Sequence, residues 1–285
     1  CQFEPGDALP PFPDVHEIRD EGMTDYLIEP LIFSGCDSHA VSWATQASDV
    51  KDLEQVAALE RIRAPLARLT ETYMLRLNAA NLLSAYVGRG GGRRVLEGNV
   101  RRGDTELITA AILFVDIKGF TGLSGTTPAD VVIERLNGFF DVFVEAIDAE
   151  DGEVLKFIGD AVLAIFPVGD DGAAAAVRRA DAALKRAESA FREAPGRRLG
   201  HRAAIHIGEL SYGNIGGGNR LDFTAIGPAV NLAARLLETA TQTGRDCVCS
   251  AEAAAVLPGC EPLGAFALKG IAEARPVFAI GALTG

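Results

Sequence analysis

Residues 154–166 read VLKFIGDAVLAIF. Two apolar runs flank the dipeptide Gly159-Asp160, and Gly-Asp is a favoured two-residue turn between antiparallel strands. The stretch therefore predicts a β-hairpin. Lys156 and Asp160 are charged although the rest of the hairpin is apolar, and a buried charge is costly unless it is paired or holds an ion. The hairpin thus indicates a functional site as well as a fold.

The segments around this hairpin alternate irregularly between strand and helix patterns. Helices mixed with hairpins and few crossovers predict an α+β fold, in which a mostly antiparallel sheet is flanked by helices. A doubly wound parallel sheet would need a regular alternation that this sequence lacks. The predicted strands lie at 108–117 and 201–216, and the predicted helices at 128–150, 170–194 and 229–240.

The first hundred residues have a different pattern, typical of a small α/β segment. Residues 26–33 and 39–45 predict two strands, and residues 52–86 predict a long helix. This arrangement resembles the closing strands and helix of a GAF-like sensor domain. We therefore divide the chain into a partial sensor-like segment at 1–51, a signalling helix with a Gly/Arg-rich linker at 52–100, and a second domain at 101–285.

Two features of residues 52–100 allow alternative interpretations. Leu59, Leu66 and Tyr73 repeat at a spacing near seven, which fits either pairing between two chains or an amphipathic helix packed on a core. The run GRGGGRR at 88–94 is the densest basic segment of the chain. We expect it to form a solvated hinge, and phosphate binding by its arginines is the less favoured alternative.

The composition excludes several classes of partner. A formal net charge of −12 makes the protein acidic, and nucleic acid or an anionic membrane would repel it. No apolar run reaches the roughly 18 residues that a membrane helix needs, and the N-terminus lacks the layout of a signal peptide. The cysteines lack paired CxxC spacing and fit a reducing compartment, so we expect a cytoplasmic protein. Cys247 and Cys249 alternate around Val248 as in a strand, and we expect them to fill the core rather than bind metal.

Two aspartates are candidate metal ligands. Asp116 follows an apolar run and precedes a glycine-containing turn, and Asp160 lies in the hairpin turn. Each alone is more often a turn residue or a helix cap. If both reach the same edge of one sheet, they can together bind one or two Mg²⁺ ions, as phosphoryl and nucleotidyl transfer requires.

Basic and polar side chains complete the set of candidates. Lys156 shares a strand face with Val154, where it either guards an edge strand or donates to a purine ring nitrogen. In DFTAIGPAVNLAAR, residues 222–235, Gly-Pro ends a strand and opens a helix. Asn231 and Arg235 lie at i and i+4 and share a helix face. An amide beside a guanidinium suits a sugar and a phosphoryl group, although such a pair is also common on ordinary helix surfaces.

Residues 107–280 resemble the catalytic domain of class III adenylyl and guanylyl cyclases. FVDIKGFT, EVLKFIGDAVLAIF, HIGELSYGNIG, DFTAIGPAVNLAARL and ALKGI occur in that family's order and at its spacing. The resemblance implies a ferredoxin-like palm fold, a homodimer and conversion of ATP to cyclic AMP and pyrophosphate. It also implies two divalent ions, Mg²⁺ or Mn²⁺, at each site. The sensor-like segment and the helix at 52–86 predict that an N-terminal input controls the activity.

The resemblance also assigns metal and phosphate contacts. Asp116 and Asp160 match the two metal-binding aspartates, and the carbonyl of Ile117 is the expected further ligand. The backbone of Phe120 and Thr121 is expected near the phosphates.

The remaining assignments concern the purine, the ribose and the transition state. Lys156 and Thr224 match the pair that reads the purine, and Thr224 stands where animal-type enzymes have Asp, as in a bacterial subgroup. A lysine favours adenine, whose N1 is an acceptor, over guanine, whose N1 is a donor. Asn231 and Arg235 match the residues that orient the ribose and stabilise the transition state. Lys269 matches a lysine that contacts the polyphosphate.

Three other functions compete with this interpretation. A guanylyl cyclase would carry acidic and small residues in place of the purine-reading pair. A diguanylate cyclase would carry two glycines and acidic residues at the hairpin turn, where this chain has FIGDAV. A catalytically silent nucleotide-binding module would signal through the helix at 52–86.

Overall fold

The structure is a computed structural model, and it describes residues 21–23, 25–35, 38–46, 53–193, 199–217 and 220–281. The chain divides into two compact units, Cys1–Asn81 and Leu82–Gly285. Most of the predicted sensor-like segment before residue 25 lies outside the described residues.

The first unit contains a two-stranded antiparallel sheet and most of a long helix. Strands β1 (Asp25–Ile32) and β2 (Ser38–Thr45) pair along their whole length, which confirms the two predicted strands. Helix α1 (Leu53–Val87) begins in this unit. Its Leu66 packs against a small core with Leu31 and Phe33, whereas Tyr73 is 67 % exposed. The seven-residue pattern is therefore not one buried stripe, and pairing between chains stays a prediction.

The second unit is built around an eight-stranded sheet. Its strands are β3 (Thr105–Ile117), β4 (Glu153–Ile158), β5 (Ala161–Pro167), β6 (His201–Gly217), β7 (Arg220–Ile226), β8 (Cys247–Ser250), β9 (Glu261–Phe266) and β10 (Arg275–Ala279). They lie in the order β4-β5-β3-β6-β8-β10-β9, with β7 paired to β6. Neighbouring strands are antiparallel except β6 and β8, which are parallel. The predicted α+β fold with a mostly antiparallel sheet is thus confirmed.

Helices cover both faces of this sheet. The helices of this unit are α2 (Arg89–Leu96), α3 (Phe120–Thr126), α4 (Ala129–Ala149), α5 (Ala173–Glu193), α6 (Pro228–Thr243) and α7 (Ala251–Ala254). Alternate residues of β3, such as Leu113 and Val115, pack with α4 and α5 on one face, while Ile112 and Phe114 pack with α6 on the other. A strand buried on both faces must be almost continuously apolar, so Asp116 is the first charged residue after a buried run.

The central hairpin forms as predicted, with one correction. Strands β4 and β5 pair, but the register shifts between Val154 and Lys156, so Leu155 is an extra, bulged residue. Val154 packs with the α4/α5 core, whereas Lys156 pairs with Leu163, which belongs to the α6 side. The prediction that Lys156 shares a face with Val154 is therefore wrong, because a bulge changes the side to which the following residues point.

The glycine-rich run is also not the solvated hinge that was predicted. Residues 89–96 form helix α2, in which Gly91 and Gly92 are buried. Helix α2 and the last residues of α1, from Leu82, belong to the second unit. The boundary between the compact units therefore falls before the glycine-rich run rather than near residue 100.

Cys247 and Cys249 both lie on the α4/α5 side of β8, while Val248 lies on the α6 side. This confirms that the two cysteines fill the core. Burial raises the pKa of Cys247 to about 12, so the thiol stays protonated.

Candidate active site

Asp116 and Asp160 meet at one edge of the sheet. Asp116 is the penultimate residue of β3. Ile158 pairs with Ala161, so Gly159 and Asp160 form the two-residue turn of the neighbouring hairpin. Gly159 has a φ of 65°, a conformation that glycine adopts without strain. Because β5 pairs with β3, this turn lies beside the end of β3, and residues 44 positions apart in the sequence come into contact.

The two carboxyl groups are electrostatically coupled. Burial raises the pKa of Asp116 to about 6, with further contributions from the hydrogen bond and the charge of Asp160, while the backbone N–H of Ile117 and the charge of Arg202 act in the opposite direction. Two adjacent carboxylates repel each other unless a proton or a cation lies between them. The two carboxyl groups are therefore suited to bind a proton or a cation between them.

These oxygens fit a hard divalent cation such as Mg²⁺ or Mn²⁺. Within the ranges that the structure describes, no group of three or more His, Cys, Asp or Glu side chains is arranged to hold a metal. Ile117, whose carbonyl is the predicted further ligand, directly follows Asp116 at the end of β3.

The turn after β3 leads directly into helix α3. Gly119 adopts a left-handed conformation with φ 68° before the helix begins at Phe120. The backbone N–H of Lys118 donates to the carbonyl oxygen of Gly200 at 2.7 Å, which fixes the start of the turn. Phe120 packs against the α4/α5 core, and Thr121 is exposed. The first turn of a helix leaves backbone N–H groups without intrahelical acceptors.

Asp222, a residue that was not predicted, binds one of the two residues matched to purine reading and lies on the same strand as the other. Lys156 Nζ donates to Asp222 Oδ2 at 2.5 Å, and Asp222 lies two residues before Thr224 on β7. Thr224 is only 5 % exposed. Its Oγ1 is buried and has no hydrogen-bond partner among the described residues. A buried hydroxyl without a partner is unfavourable, so Thr224 offers a polar atom that a ligand would satisfy.

Asn231 and Arg235 lie on the side of α6 that faces away from the sheet. The helix buries Ala233 and Leu236 against the sheet, while Asn231 is exposed. Arg235 forms an ion pair with Glu238 of the same helix. In the single chain the guanidinium is therefore held by its own helix. The two residues share one face of α6, as the i, i+4 spacing predicted, and the structure shows that this face points away from the sheet.

Lys269 lies in the turn between β9 and β10. Its side chain is exposed, whereas the preceding Leu268 is buried in the α6-side core. The turn is therefore anchored by Leu268 and presents Lys269 to solvent.

Sequence reasoning missed two acidic residues next to the purine-reading positions. Asp222 was detectable, because residues i and i+2 of a strand share a face and it precedes Thr224 by two. Glu153, at the start of β4, was not detectable. Its partners, Gly91 and Tyr212, lie about 60 residues away on either side in the sequence.

The family comparison decides the identity of this domain. The sequence model for the adenylate and guanylate cyclase catalytic domain matches residues 105–277. The chain belongs to this family. Its cyclase domain thus contains the aspartate pair, Lys156, Thr224 and α6, with the class III fold that the motifs implied.

Relatives and solved structures agree with this assignment. Adenylate cyclase 1 of Rhizobium meliloti is 33 % identical over 170 residues, which is 57 % of this chain and 25 % of that protein. The structure of the adenylyl cyclase CyaB from P. aeruginosa is 28 % identical, with a TM-score of 0.51 over 62 % of this chain and 95 % of that chain. A bacterial light-regulated adenylyl cyclase shares the fold, with 24 % identity and a TM-score of 0.62 over 83 % of this chain and 65 % of that chain.

The cyclase domain is only part of the curated relatives. The match covers between 23 and 37 % of their length. Among the helices that the structure describes, none combines the length and the apolar character needed to cross a bilayer.

Proposed function

We propose that this cyclase domain is an adenylyl cyclase, which converts ATP to 3′,5′-cyclic AMP and pyrophosphate at a site shared by two copies of the chain. The observation that carries the proposal is the contact between Asp116 and Asp160, whose coupled carboxyl groups call for a cation. A divalent cation held there would lie beside the Gly119 turn, where a triphosphate can accept hydrogen bonds from the start of α3.

The choice of ATP rests on Lys156. An ammonium group donates up to three hydrogen bonds and accepts none. One of these goes to Asp222, which leaves donors for N1 of adenine. Guanine carries a hydrogen at N1 and would meet this donor with another donor. The hydroxyl of Thr224 both donates and accepts, and it can pair with the 6-amino group of adenine.

In the proposed reaction, the ribose 3′-oxygen attacks the α-phosphorus and its proton passes to water, while the bond from the α-phosphorus to the bridging oxygen breaks and pyrophosphate leaves. Asp116, Asp160 and the carbonyl of Ile117 would hold two Mg²⁺ or Mn²⁺ ions together with substrate oxygens. When bound, such ions lower the pKa of the 3′-hydroxyl and offset the charge of the phosphates. By fixing the place of the ions, Asp116 and Asp160 would position the 3′-hydroxyl against the α-phosphate.

Residues of α6 act on the sugar and the α-phosphate. The amide of Asn231 would orient the ribose. Arg235 would donate to the non-bridging oxygens as the α-phosphorus becomes five-coordinate, so its interaction strengthens in the transition state and raises the rate. Lys269, exposed in its turn, would contact the polyphosphate.

The outward face of α6 suggests how two chains share a site. In the proposed homodimer, one chain supplies the aspartate pair while its partner supplies the purine-reading residues, Asn231 and Arg235. Two equivalent sites then follow from the two-fold symmetry. Mixing Asp116→Ala protein with Arg235→Ala protein should restore activity, because a mixed dimer keeps one intact site. Failure to recover activity in verified mixed dimers would contradict the shared site.

The reaction itself is tested by incubating the purified protein with ATP or GTP, each with Mg²⁺ or Mn²⁺, and separating the products by chromatography. We expect cyclic AMP from ATP and little product from GTP. Cyclic GMP as the main product would make the chain a guanylyl cyclase, the other activity that the family's description covers. No product from a verified dimer would favour a silent nucleotide-binding module. A cytoplasmic location and control by the N-terminal unit belong to the same proposal.

A further inference from the structure

We propose that helix α2, which contains the glycine-rich run, positions the purine subsite. The positioning residues are Gly91 on α2 and Glu153 on β4. The purine subsite here means Lys156, Asp222 and Thr224. This inference rests on the proposed function, because the subsite is defined by it.

The first observation is the carboxylate of Glu153. Its Oε1 accepts a hydrogen bond from the backbone N–H of Gly91 at 3.2 Å. Its Oε2 accepts one from the hydroxyl of Tyr212 at 2.6 Å. Tyr212 is 3 % exposed, and burial raises its pKa well above the usual value, so the hydroxyl remains a donor. One half-buried side chain thus ties α2 to β4 and β6.

The second observation is the close packing of Gly91. A Cβ atom at this position would lie 2.7 Å from Cδ1 of Phe223 and 2.8 Å from Cγ1 of Val87. Phe223 stands between Asp222 and Thr224 on β7, and its ring contacts that of Tyr212 edge-on, with centroids 4.8 Å apart. Helix α2 therefore packs directly against the strand segment that carries two members of the subsite.

These contacts close a ring around the subsite. Glu153 lies three residues before Lys156 on β4, and Lys156 is joined to Asp222 on β7. Phe223, the next residue of β7, packs against Gly91 of α2. A displacement of α2 would therefore move β4 and β7 relative to each other, and with them Lys156 and Thr224. Misplacement of binding groups by about 1 Å can cost about 100-fold in rate.

The arginines of the run support this role over phosphate binding. Arg89 pairs with Asp148 at 2.6 Å. Arg94 pairs with Glu106, and its guanidinium lies 4.9 Å from the centre of the Tyr212 ring. Both side chains fasten α2 to the cyclase domain. Arg93 is exposed on the same helix, which makes Arg93→Ala a matched control.

The test compares four variants with the wild type: Glu153→Ala, Glu153→Gln, Tyr212→Phe and Arg93→Ala. The measurements are KM and kcat for ATP and GTP, and the Kd of 3′-deoxy-ATP, which lacks the attacking hydroxyl and reports binding without turnover. Dimer mass and melting temperature show whether each variant is folded.

We expect Glu153→Ala to lower kcat/KM for ATP by about 10- to 100-fold, mainly through KM, and to weaken 3′-deoxy-ATP binding in parallel. The ATP:GTP ratio of kcat/KM should fall, because loss of the Glu153 contacts would displace Lys156, which is the residue proposed to select adenine. Glu153→Gln should recover part of the loss, since its amide can still accept from Gly91 and donate to Tyr212. Tyr212→Phe should show a smaller loss in the same direction, and Arg93→Ala should match the wild type.

Two outcomes would overturn the inference in distinguishable ways. Variants of Glu153 and Tyr212 that melt at lower temperature, yet keep the wild-type KM, Kd and ATP:GTP ratio, would show a merely structural role. The proposed function would then stand. A wild type that neither binds 3′-deoxy-ATP nor makes a cyclic nucleotide would remove the purine subsite itself, and the proposed function would fail together with the inference.

Discussion

The two ends of strand β4 are stabilised in different ways. Its C-terminal end is a local structure, in which two apolar runs, Gly159 and Asp160 specify a turn that delivers a carboxyl group to Asp116. Its N-terminal end depends on Glu153, which binds Gly91 and Tyr212 from distant parts of the chain. Lys156 lies between the two ends. The comparison indicates that the turn provides the metal-binding carboxyl group, whereas the contacts of Glu153 at the opposite end of β4 determine the position of Lys156.

The largest effect is expected at the turn. Asp160→Asn removes one of the two charges that hold the cation, so activity should fall by about 1,000-fold or more. The measurement is cyclic AMP formed from ATP under saturating Mn²⁺. Asp141→Asn, at an exposed position on α4, is the matched control and should retain activity. If Asp160→Asn keeps more than a tenth of the wild-type rate, the aspartate pair is not the metal site.

A large but smaller effect is expected in the middle of β4. Lys156→Ala should lower kcat/KM for ATP by about 100-fold, whereas GTP should be affected much less, because guanine presents no acceptor at N1. Asp222→Asn keeps the lysine but weakens its anchor, and we expect about a tenfold loss for ATP. The two substrates are compared in the same assay. Equal losses for ATP and GTP in Lys156→Ala would contradict the role of this residue in purine choice.

The cation should also be detectable without turnover. A ligand that binds only the folded protein raises its stability, so Mg²⁺ or Mn²⁺ should raise the melting temperature of the wild type by a few degrees. Asp160→Asn should lose most of this shift, while Glu153→Ala, at the other end of β4, should keep it. A similar shift in Asp160→Asn and the wild type would indicate that the ions bind elsewhere.

The same comparison explains what could be predicted from the sequence. Strand β3, the hairpin and the shared helix face of Asn231 and Arg235 follow from periodicity, turn residues and i, i+4 spacing, all of which are local. The family motifs then assigned roles to Asp116, Lys156 and Asn231. The bulge at Leu155 could not be predicted, because it depends on how β4 packs against β5 and α6.

Helix α2 shows most clearly where local reasoning fails. Each glycine disfavours a helix by about 1 kcal/mol relative to alanine, so GRGGGRR predicts a hinge. The structure forms a helix there, because absent side chains allow α2 to approach Phe223 and the end of α1. Tertiary packing overrides propensity at this position, and the sequence carries no local signal of it.

The smallest expected effect tests this last point. In an exposed helix, Gly→Ala raises the free energy of unfolding by up to about 1 kcal/mol. At Gly91, overlap of the new methyl group with Phe223 and Val87 should instead lower it by about 1–3 kcal/mol. Gly122 of α3 has no atom near its hypothetical Cβ, so Gly122→Ala is the matched control and should be neutral or stabilising. The measurement is urea unfolding of both variants beside the wild type. If Gly91→Ala is as stable as Gly122→Ala, α2 is loosely packed, and the N-terminal end of β4 lacks the fixed support that Glu153 requires to hold Lys156 in position.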